Sequence, residues 1–258
     1  LERDDNYEFI VIEFNALVDN SSAGSNDAGD VLGNTYTIYK NDDQQIAGPS
    51  IQTVQVLVQE PYIPFNTTAN NKTATPSTLQ DAGNAITYTI NLTNQAGANR
   101  TTAFDVRVLD NLATTTLTLL AVNPLSFTSC GAPVPTYTNN SIIASNTVDL
   151  TIASMPVGCT VSFTYTATLN IVVVPNQSIP NTADLTYTSL PATGTVGNPT
   201  GSATPGASGA DDGERDGSGA PLQNDYSGND GAEVTIAVPL LSKTIVTTSQ
   251  AHTSDTQN

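Results

Sequence analysis

Three acidic side chains at alternate positions form the pattern with the most direct chemistry: Asp212, Glu214 and Asp216, in the stretch "DDGERDG". Oxygen ligands spaced in this way around a glycine turn are typical of loops that bind calcium. The bidentate glutamate that would complete an EF-hand is absent, but further oxygens follow at Asp225, Asn229 and Asp230. The sequence therefore indicates either a calcium site of another design or a solvated acidic loop.

The two cysteines, Cys130 and Cys159, each stand beside a glycine. In an oxidising compartment they would close a loop of about 30 residues, which stabilises a fold by about 3 to 4 kcal/mol in the chain-entropy model. The alternative is a pair of buried thiols that never meet. We expect the disulfide, because nothing else in the chain suggests a use for a thiol.

Catalytic patterns are scarce. The single histidine, His252, lies in the polar tail "TSQAHTSDTQN", and the chain has no G-x-S-x-G, H-E-x-x-H or phosphate-binding loop. Asp105 and Asp110 could imitate a glycosidase pair, but the separation of two carboxyl groups cannot be read from a sequence. We expect no enzyme activity and no required cofactor, with calcium as the one ion that the sequence suggests.

The charge balance narrows the class of partner. Asp and Glu total 24 against 7 Lys and Arg, which gives a formal net charge of −17. Nucleic acids and anionic bilayers are approached through clustered basic residues, so both are poor partners for this chain. No apolar run has the roughly 18 residues needed to cross a bilayer, and residues 1–20 do not have the pattern of a signal peptide. We expect any signal or anchor to lie outside this segment.

Alternation of apolar and polar residues is the main structural signal. "AITYTINLTN" places Ile86, Tyr88, Ile90 and Leu92 on one face and polar residues on the other, as in a half-buried antiparallel strand. Further inward sets are Phe104, Val106 and Val108; Val148, Leu150 and Ile152; Val161, Phe163, Tyr165, Ala167 and Leu169; Ala183, Leu185 and Tyr187; and Val234, Ile236 and Val238. Six to eight such strands predict an all-β, antiparallel, immunoglobulin-like sandwich, with a closed barrel as the less favoured alternative.

A sequence echo suggests tandem repeats. "IQTVQVLVQEPYI" at 51–63 resembles "GAEVTIAVPLLSKTI" at 231–245, and aligning Val54 with Val234 gives an offset of about 180 residues. The domain prediction is the end of one repeat at 1–60, a complete repeat at 61–242 with an acidic, glycine-rich insertion at 191–231, and the first strand of another repeat at 243–258.

Five blocks in order resemble a known family: "NKTATPSTLQDAGNAITYTINLTNQAG", "AFDVRVLDNLA", "LTIASMPVGCTVSFTYTATL", "IPNTADLTYTSL" and "GERDGSGAPLQNDYSGNDGAEVTI". They look like the Ig-like conserved repeat, of the type called domain of unknown function 11, in large bacterial and archaeal surface proteins. One departure is "LDNLAT", where the family usually has a proline after the leucine. The resemblance implies an extracellular, cell-surface stalk, adhesin spacer or filament. The alternative is a ligand- or glycan-binding adhesin module acting through its loops, for which Tyr137 is the candidate aromatic.

The resemblance also implies a covalent cross-link, because related fimbrial domains join a lysine of the first strand to an asparagine of a late strand. Lys72 and Asn181 stand at matching positions, with Asp105 or Asp81 as the assisting carboxylic acid. Burial would supply the neutral lysine and the protonated acid that the reaction needs. The alternative is an exposed lysine that begins a strand and an asparagine at a bulge.

The expected partners are neighbouring repeats of the same chain or identical subunits placed head to tail. Residues 1–60 hold too few strands to close a sandwich, so another segment must cover them. Residues 243–258 of another subunit could add to the open edge as a strand, although a fragment of one long chain explains the incomplete repeat more simply.

Overall fold

The computed structural model describes residues 28–35, 38–39, 45–47, 54–189 and 227–244. Within these ranges the regular elements are almost all strands. In chain order they are β1 (Val31–Asn34), β2 (Ile38–Tyr39), β3 (Gln45–Ala47), β4 (Val54–Leu57), β5 (Lys72–Thr75), β6 (Ala85–Thr93), β7 (Ala103–Asn111), β8 (Leu117–Val122), β9 (Ser126–Thr128), β10 (Tyr137–Asn139), a short 3₁₀ turn (Ile143–Ser145), β11 (Thr147–Met155), β12 (Thr160–Leu169), β13 (Ser178–Thr188) and β14 (Ser227–Thr235).

Two five-stranded sheets form the main sandwich. One has the order β10-β11-β7-β13-β14, and the other has the order β5-β6-β12-β8, with β9 also paired to β12. All of these pairs are antiparallel. Strands β5 and β6 join β12 in one sheet, and β13 and β14 join β7 in the other, as in an immunoglobulin-like sandwich. The predicted fold class is confirmed.

The alternating pattern places the core between the two sheets. In β12 every second residue is buried, from Val161 to Leu169, while the threonines and serine between them remain half-buried on the other face. In β6, Ile86, Tyr88 and Ile90 are fully buried, as predicted. Because burying one such side chain contributes about 1.5 to 3 kcal/mol, the shared core is the main source of stability.

The inward face of β7 differs from the predicted pattern at its start. Asp105 has a positive φ of 47°, and the pairing of β7 with β13 shifts its register there. The irregular residue changes which side chains point inward, so Ala103 is fully buried, whereas Phe104 is only half-buried. The prediction that Phe104 points into the core is therefore wrong by one residue, whereas it is right for Val106 and Val108.

Strand β14 starts earlier than expected and ends earlier too. It begins at Ser227, inside the predicted insertion 191–231, and Val238 lies past its end with 56% of its surface exposed. Gly228 allows close packing here, because a Cβ at this position would lie 2.5 Å from the backbone oxygen of Phe65. The glycine and acidic residues in the first half of β14 weaken the alternation of apolar and polar residues, so the sequence pattern does not predict that this half belongs to the strand.

The disulfide between Cys130 and Cys159 is present, with an S–S distance of 2.00 Å. It fastens the chain just after β9 to the residue just before β12, and Cys159 is fully buried. Along the chain, β8 and β9 precede Cys130 and β10 follows it, and none of these three strands shows a clear alternation of apolar and polar residues.

The described part of residues 1–60 forms two small pairs. β1 pairs with β4, and β2 pairs with β3, both antiparallel. The predicted strand "YEFIVIEFNALV" lies outside the described residues, as do residues 245–258. The described residues contain no helix with the length and apolar character needed to cross a membrane.

Candidate functional site

Lys72 begins β5 and points into the sandwich. Its backbone pairs with Ile90 of β6, and its side chain is fully buried. The Nζ atom lies 2.6 Å from Oδ2 of Asp110, whose side chain is also fully buried. A lysine is rarely buried in a core unless it is paired. Burying the pair costs free energy of desolvation, so Lys72 and Asp110 are the candidates for a functional site.

Asp110 and Asn181 come from adjacent strands of the opposite sheet. Asp110 is near the end of β7, opposite Ala183 of β13. Asn181 precedes Ala183 by two residues and therefore projects from the same face of the sheet, where only 4% of it is exposed. The predicted pair, Lys72 and Asn181, thus meets inside the sandwich across the two sheets.

The orientation of the Asn181 amide follows from its neighbours. With Nδ2 toward Asp110, this group donates to Oδ1 at 2.9 Å, and the amide oxygen accepts from Lys72 Nζ at 3.0 Å and from the Tyr165 hydroxyl at 2.9 Å. The opposite orientation would face the oxygen only toward acceptors and the nitrogen only toward donors. The lysine nitrogen is therefore next to the amide carbonyl group.

Two tyrosines enclose the cluster. Tyr88 of β6 and Tyr165 of β12 stack with ring centroids 5.1 Å apart, and Lys72 Nζ lies 5.3 Å and 5.9 Å from the two centroids. The Tyr165 hydroxyl hydrogen-bonds with Oδ2 of Asp110. The Tyr88 hydroxyl is buried and has no hydrogen-bond partner among the described residues. The rings exclude water from the lysine and the acid.

Burial changes the ionisation of both partners in opposite directions. Loss of hydration lowers the pKa of Lys72 below its usual 10.5, against the attraction of Asp110. Loss of hydration also raises the pKa of Asp110 above its usual 3.8, although Lys72 and the hydrogen bonds from Tyr165 and Asn181 oppose the change. Both shifts make the neutral amine and the protonated acid easier to reach than they are in water.

Asp230 of β14 holds the backbone of the first strand. It is buried, and its carboxylate accepts hydrogen bonds at 2.8 Å from the backbone N–H of Lys72 and from that of Gly231. The strand that carries Lys72 is thereby fixed to the last strand of the opposite sheet.

The assisting acid was predicted wrongly. Asp105 is five residues before Asp110 in β7, which corresponds to roughly 17 Å along a strand. Asp81 is exposed, in the turn that precedes β6. Neither of them is the carboxyl group beside Lys72; that group belongs to Asp110.

The predicted calcium ligands Asp212, Glu214 and Asp216 lie outside the described residues. Asp230, which the sequence offered as a further ligand, is engaged by the two backbone N–H groups instead. Across residues 54–189 and 227–244 and the shorter described segments, no group of three or more His, Cys, Asp or Glu side chains is placed to hold a metal ion.

Comparisons with known proteins identify no family. No protein-family model matches the chain, and no curated protein matches it. Among solved structures it is similar to the full-length major pilin SpaD from Corynebacterium diphtheriae, with 16% identity, a TM-score of 0.37, and coverage of 64% of this chain and 33% of the pilin. It is also similar to BcpA, the major pilin subunit of Bacillus cereus, with 12% identity, a TM-score of 0.37, and coverage of 75% and 53%.

A third similar structure is the 35 kDa C-terminal fragment of the major pilin GBS80 of Streptococcus agalactiae, with 11% identity, a TM-score of 0.36, and coverage of 68% and 56%. The chain thus spans about a third to a little over half of these three chains. Similarity at this level does not establish a shared family or a shared function.

Tyr137, the aromatic residue offered for ligand binding, begins β10 on the surface. It is 37% exposed, and its ring centroid lies 6.0 Å from that of Phe127. The ring is therefore partly covered by a neighbouring strand.

Sequence reasoning missed Asp110, Tyr165, Tyr88 and Asp230 as members of the cluster. One signal was available, because Asp110 continues the inward alternation of Val106 and Val108 and is thus an acid on an apolar face. Tyr88 and Tyr165 were placed inward, but their alternation gives no reason to treat them as more than core residues.

Proposed function

We propose that residues 61–242 are a load-bearing structural domain of an extracellular stalk or filament, closed by an amide bond between Lys72 and Asn181. The observation that carries this proposal is the buried contact among Lys72, Asp110 and Asn181. A buried amine and acid cost free energy as a purely structural feature, since apolar residues of similar size often stabilise a core more. A reaction between the Lys72 amine and the Asn181 amide accounts for the presence of this cluster in the core.

The reaction needs no external reagent. The neutral Lys72 Nζ attacks Cγ of Asn181. The Tyr165 hydroxyl lies within reach of both Asp110 and the amide oxygen, and its single proton turns to the amide oxygen as that oxygen gains negative charge. Asp110 gives its proton to the Asn181 nitrogen, and it receives the proton that the attacking lysine nitrogen loses. The C–N bond to the old amide nitrogen breaks, ammonia leaves, and a new amide joins the two side chains.

The bond would lie at a useful place for resisting force. Lys72 is on the opening strand of the domain, and Asn181 is on the strand before the last. Tension applied through β5 would pass directly to β13 through the amide, so residues 73–180 would carry no load. The domain would then transmit force without unfolding its core.

The disulfide and the net charge of the chain support an extracellular role. The disulfide between Cys130 and Cys159 is stable in oxidising compartments. The formal charge of −17 disfavours nucleic acids and anionic bilayers as partners. The proposed partners are neighbouring repeats of the same chain or identical subunits, and the proposed domain boundaries are those drawn from the sequence echo.

Intact mass spectrometry tests the proposal. After reduction of the disulfide, we expect the chain to weigh one ammonia less than its sequence, and the variants Lys72→Ala, Asn181→Ala and Asp110→Ala to show their full sequence masses. Lys243→Ala is the matched control, because Lys243 is exposed and this variant should still lose ammonia. Proteolysis should also release a branched peptide that joins the segments containing Lys72 and Asn181.

A folded, disulfide-bonded chain that shows the full sequence mass once its disulfide is reduced would contradict the proposal. So would an ammonia loss that persists in Asn181→Ala, because the loss would then come from another residue.

A further inference from the structure

The pair β1–β4 repeats the pairing at the start of β13 and the end of β14. The N–H of Gly29 donates to the oxygen of Val58 at 3.0 Å, and the N–H of Val58 donates to the oxygen of Asp30 at 2.9 Å. In the complete domain, the N–H of Asn176 donates to Ile236 at 3.2 Å, and that of Ile236 donates to Gln177 at 2.9 Å. Gly29 and Asn176 also share a positive φ, at 101° and 61°.

The strand register extends this equivalence to an asparagine. Leu32 pairs with Val56 as Ile179 pairs with Val234. Two residues further along the strand, Asn34 pairs with Val54 and Asn181 pairs with Ala232. Residues 29–34 thus match 176–181 without a gap, and Asn34 takes the place of Asn181. The structural match aligns Val56 with Val234, two residues away from the sequence alignment but on the same face.

The two hairpins differ in what covers them. Val58 and Ile236 are equally buried, each 6% exposed. Val234 is fully buried against the opposite sheet, whereas its equivalent Val56 is 49% exposed and Val54 is 69% exposed. In the complete domain, β5 of the opposite sheet contacts β14, whereas among the described residues no strand of an opposite sheet covers β4 in this way.

We propose that residues 29–34 and 54–58 are the closing strand pair of a second sandwich and that Asn34 is its acceptor amide, placed to react with a lysine of the strand that opens that sandwich. The partner is a sandwich half like strands β5 to β12, with a buried lysine and a protonated acid in the places of Lys72 and Asp110. The inference rests on the proposed function, since it extends the same amide bond to a second domain.

A graft into the existing chain tests the equivalence. Residues 176–181 are replaced by the sequence of residues 29–34, through the substitutions N176G, Q177D, S178V, I179L and P180G, so that the hairpin segment of Asn34 stands opposite Lys72. The matched control places residues 30–35 there instead, through N176D, Q177V, S178L, I179G, P180N and N181T. This one-residue slip turns the asparagine to the outer face.

We expect the graft to fold with its disulfide intact and to lose one ammonia, and the slipped control to keep its full mass. A folded graft at full mass would overturn the inference, and so would a graft that does not fold, because the two segments would then not be interchangeable. Failure of the proposed function is distinguishable, since the parent chain itself would keep its full mass. In that case the second hairpin is judged by melting temperature, which the graft should preserve and the slipped control should lower.

Discussion

At the scale of single residues, the two tyrosines of the cluster have different roles although their rings stack. The Tyr165 hydroxyl lies 2.9 Å from the Asn181 amide oxygen and contacts Asp110, whereas the Tyr88 hydroxyl has no partner among the described residues. Removing a donor to a developing oxyanion slows a reaction on the order of a hundredfold. We expect Tyr165→Phe to slow the loss of ammonia by about this factor.

Tyr88→Phe is the matched control, because it removes a hydroxyl that makes no hydrogen bond and leaves the ring in place. A time course of intact mass after refolding gives both rates. Equal rates for the two variants would show that the Tyr165 hydroxyl does not assist the reaction.

The ionisation of Asp110 predicts a pH dependence in the unreacted chain. In Asn181→Ala no amide bond can form, and burial raises the pKa of Asp110 above the value of 3.8 that it has when unfolded. Its contribution to stability is therefore complete below that value and is lost as the pH rises toward the folded pKa. The lowered pKa of Lys72 acts in the opposite direction and at higher pH, because above the folded pKa of Lys72 the folded chain binds fewer protons than the unfolded chain, so that stability rises with pH there.

Asn181→Ala/Asp110→Asn removes the titrating acid and nearly preserves its shape. We expect the melting temperature of this double variant, relative to Asn181→Ala, to rise between about pH 3 and about pH 7. A difference that does not change with pH would mean that Asp110 is not protonated in the folded core.

At the scale of elements, the disulfide covalently fixes a region around β9 and β10 in which apolar and polar residues do not alternate clearly. β9 has only three residues, and the long connection after it reaches β12 through β10 and β11. We expect Cys130→Ser/Cys159→Ser to lower the free energy of unfolding by about 3 to 4 kcal/mol, because the unfolded chain regains the freedom of the loop. Denaturant unfolding with and without reductant measures this.

The control is reduction of the double variant, which should change nothing. A parent chain whose stability does not respond to reductant, while its thiols become reactive, would contradict the expected contribution.

The sequence predicts elements wherever apolar residues alternate without interruption. β6, β11 and β12 show this pattern because each is paired on both edges within its sheet, so that one of its two faces is turned toward the core. The strand predicted at β14 is too short because glycines and acids interrupt the alternation in its first half, where Gly228 is required by the close approach of Phe65. The pattern does not predict β9 and β10 because each has only three residues, and it does not predict β8 because the adjacent Leu119 and Leu120 break its alternation. The site is limited in another way: the resemblance suggested Lys72 and Asn181, and the alternation of Val106, Val108 and Asp110 marks Asp110 as an inward acid, but its contact with Lys72 depends on the packing of the two sheets, which no local pattern reveals.

At the scale of the whole molecule, the acidic segment predicts a response to calcium. Asp212, Glu214 and Asp216 carry part of the net charge of −17, and calcium binding would relieve their repulsion. We expect calcium to raise the melting temperature of the chain by an amount that grows with its concentration. The variant Asp212→Asn/Glu214→Gln/Asp216→Asn should lose this response, and calorimetry that detects no binding to the parent chain would exclude the site.

The central claim is that an amide bond closes the sandwich and carries its load, and stretching single molecules tests it directly. With the disulfide intact, the parent chain should not release residues 73–180 under force, because Lys72 and Asn181 are joined. Asn181→Ala should extend further by on the order of 30 nm, at roughly 3.5 Å for each residue outside the disulfide loop. Equal extensions of the parent and the variant would contradict the claim.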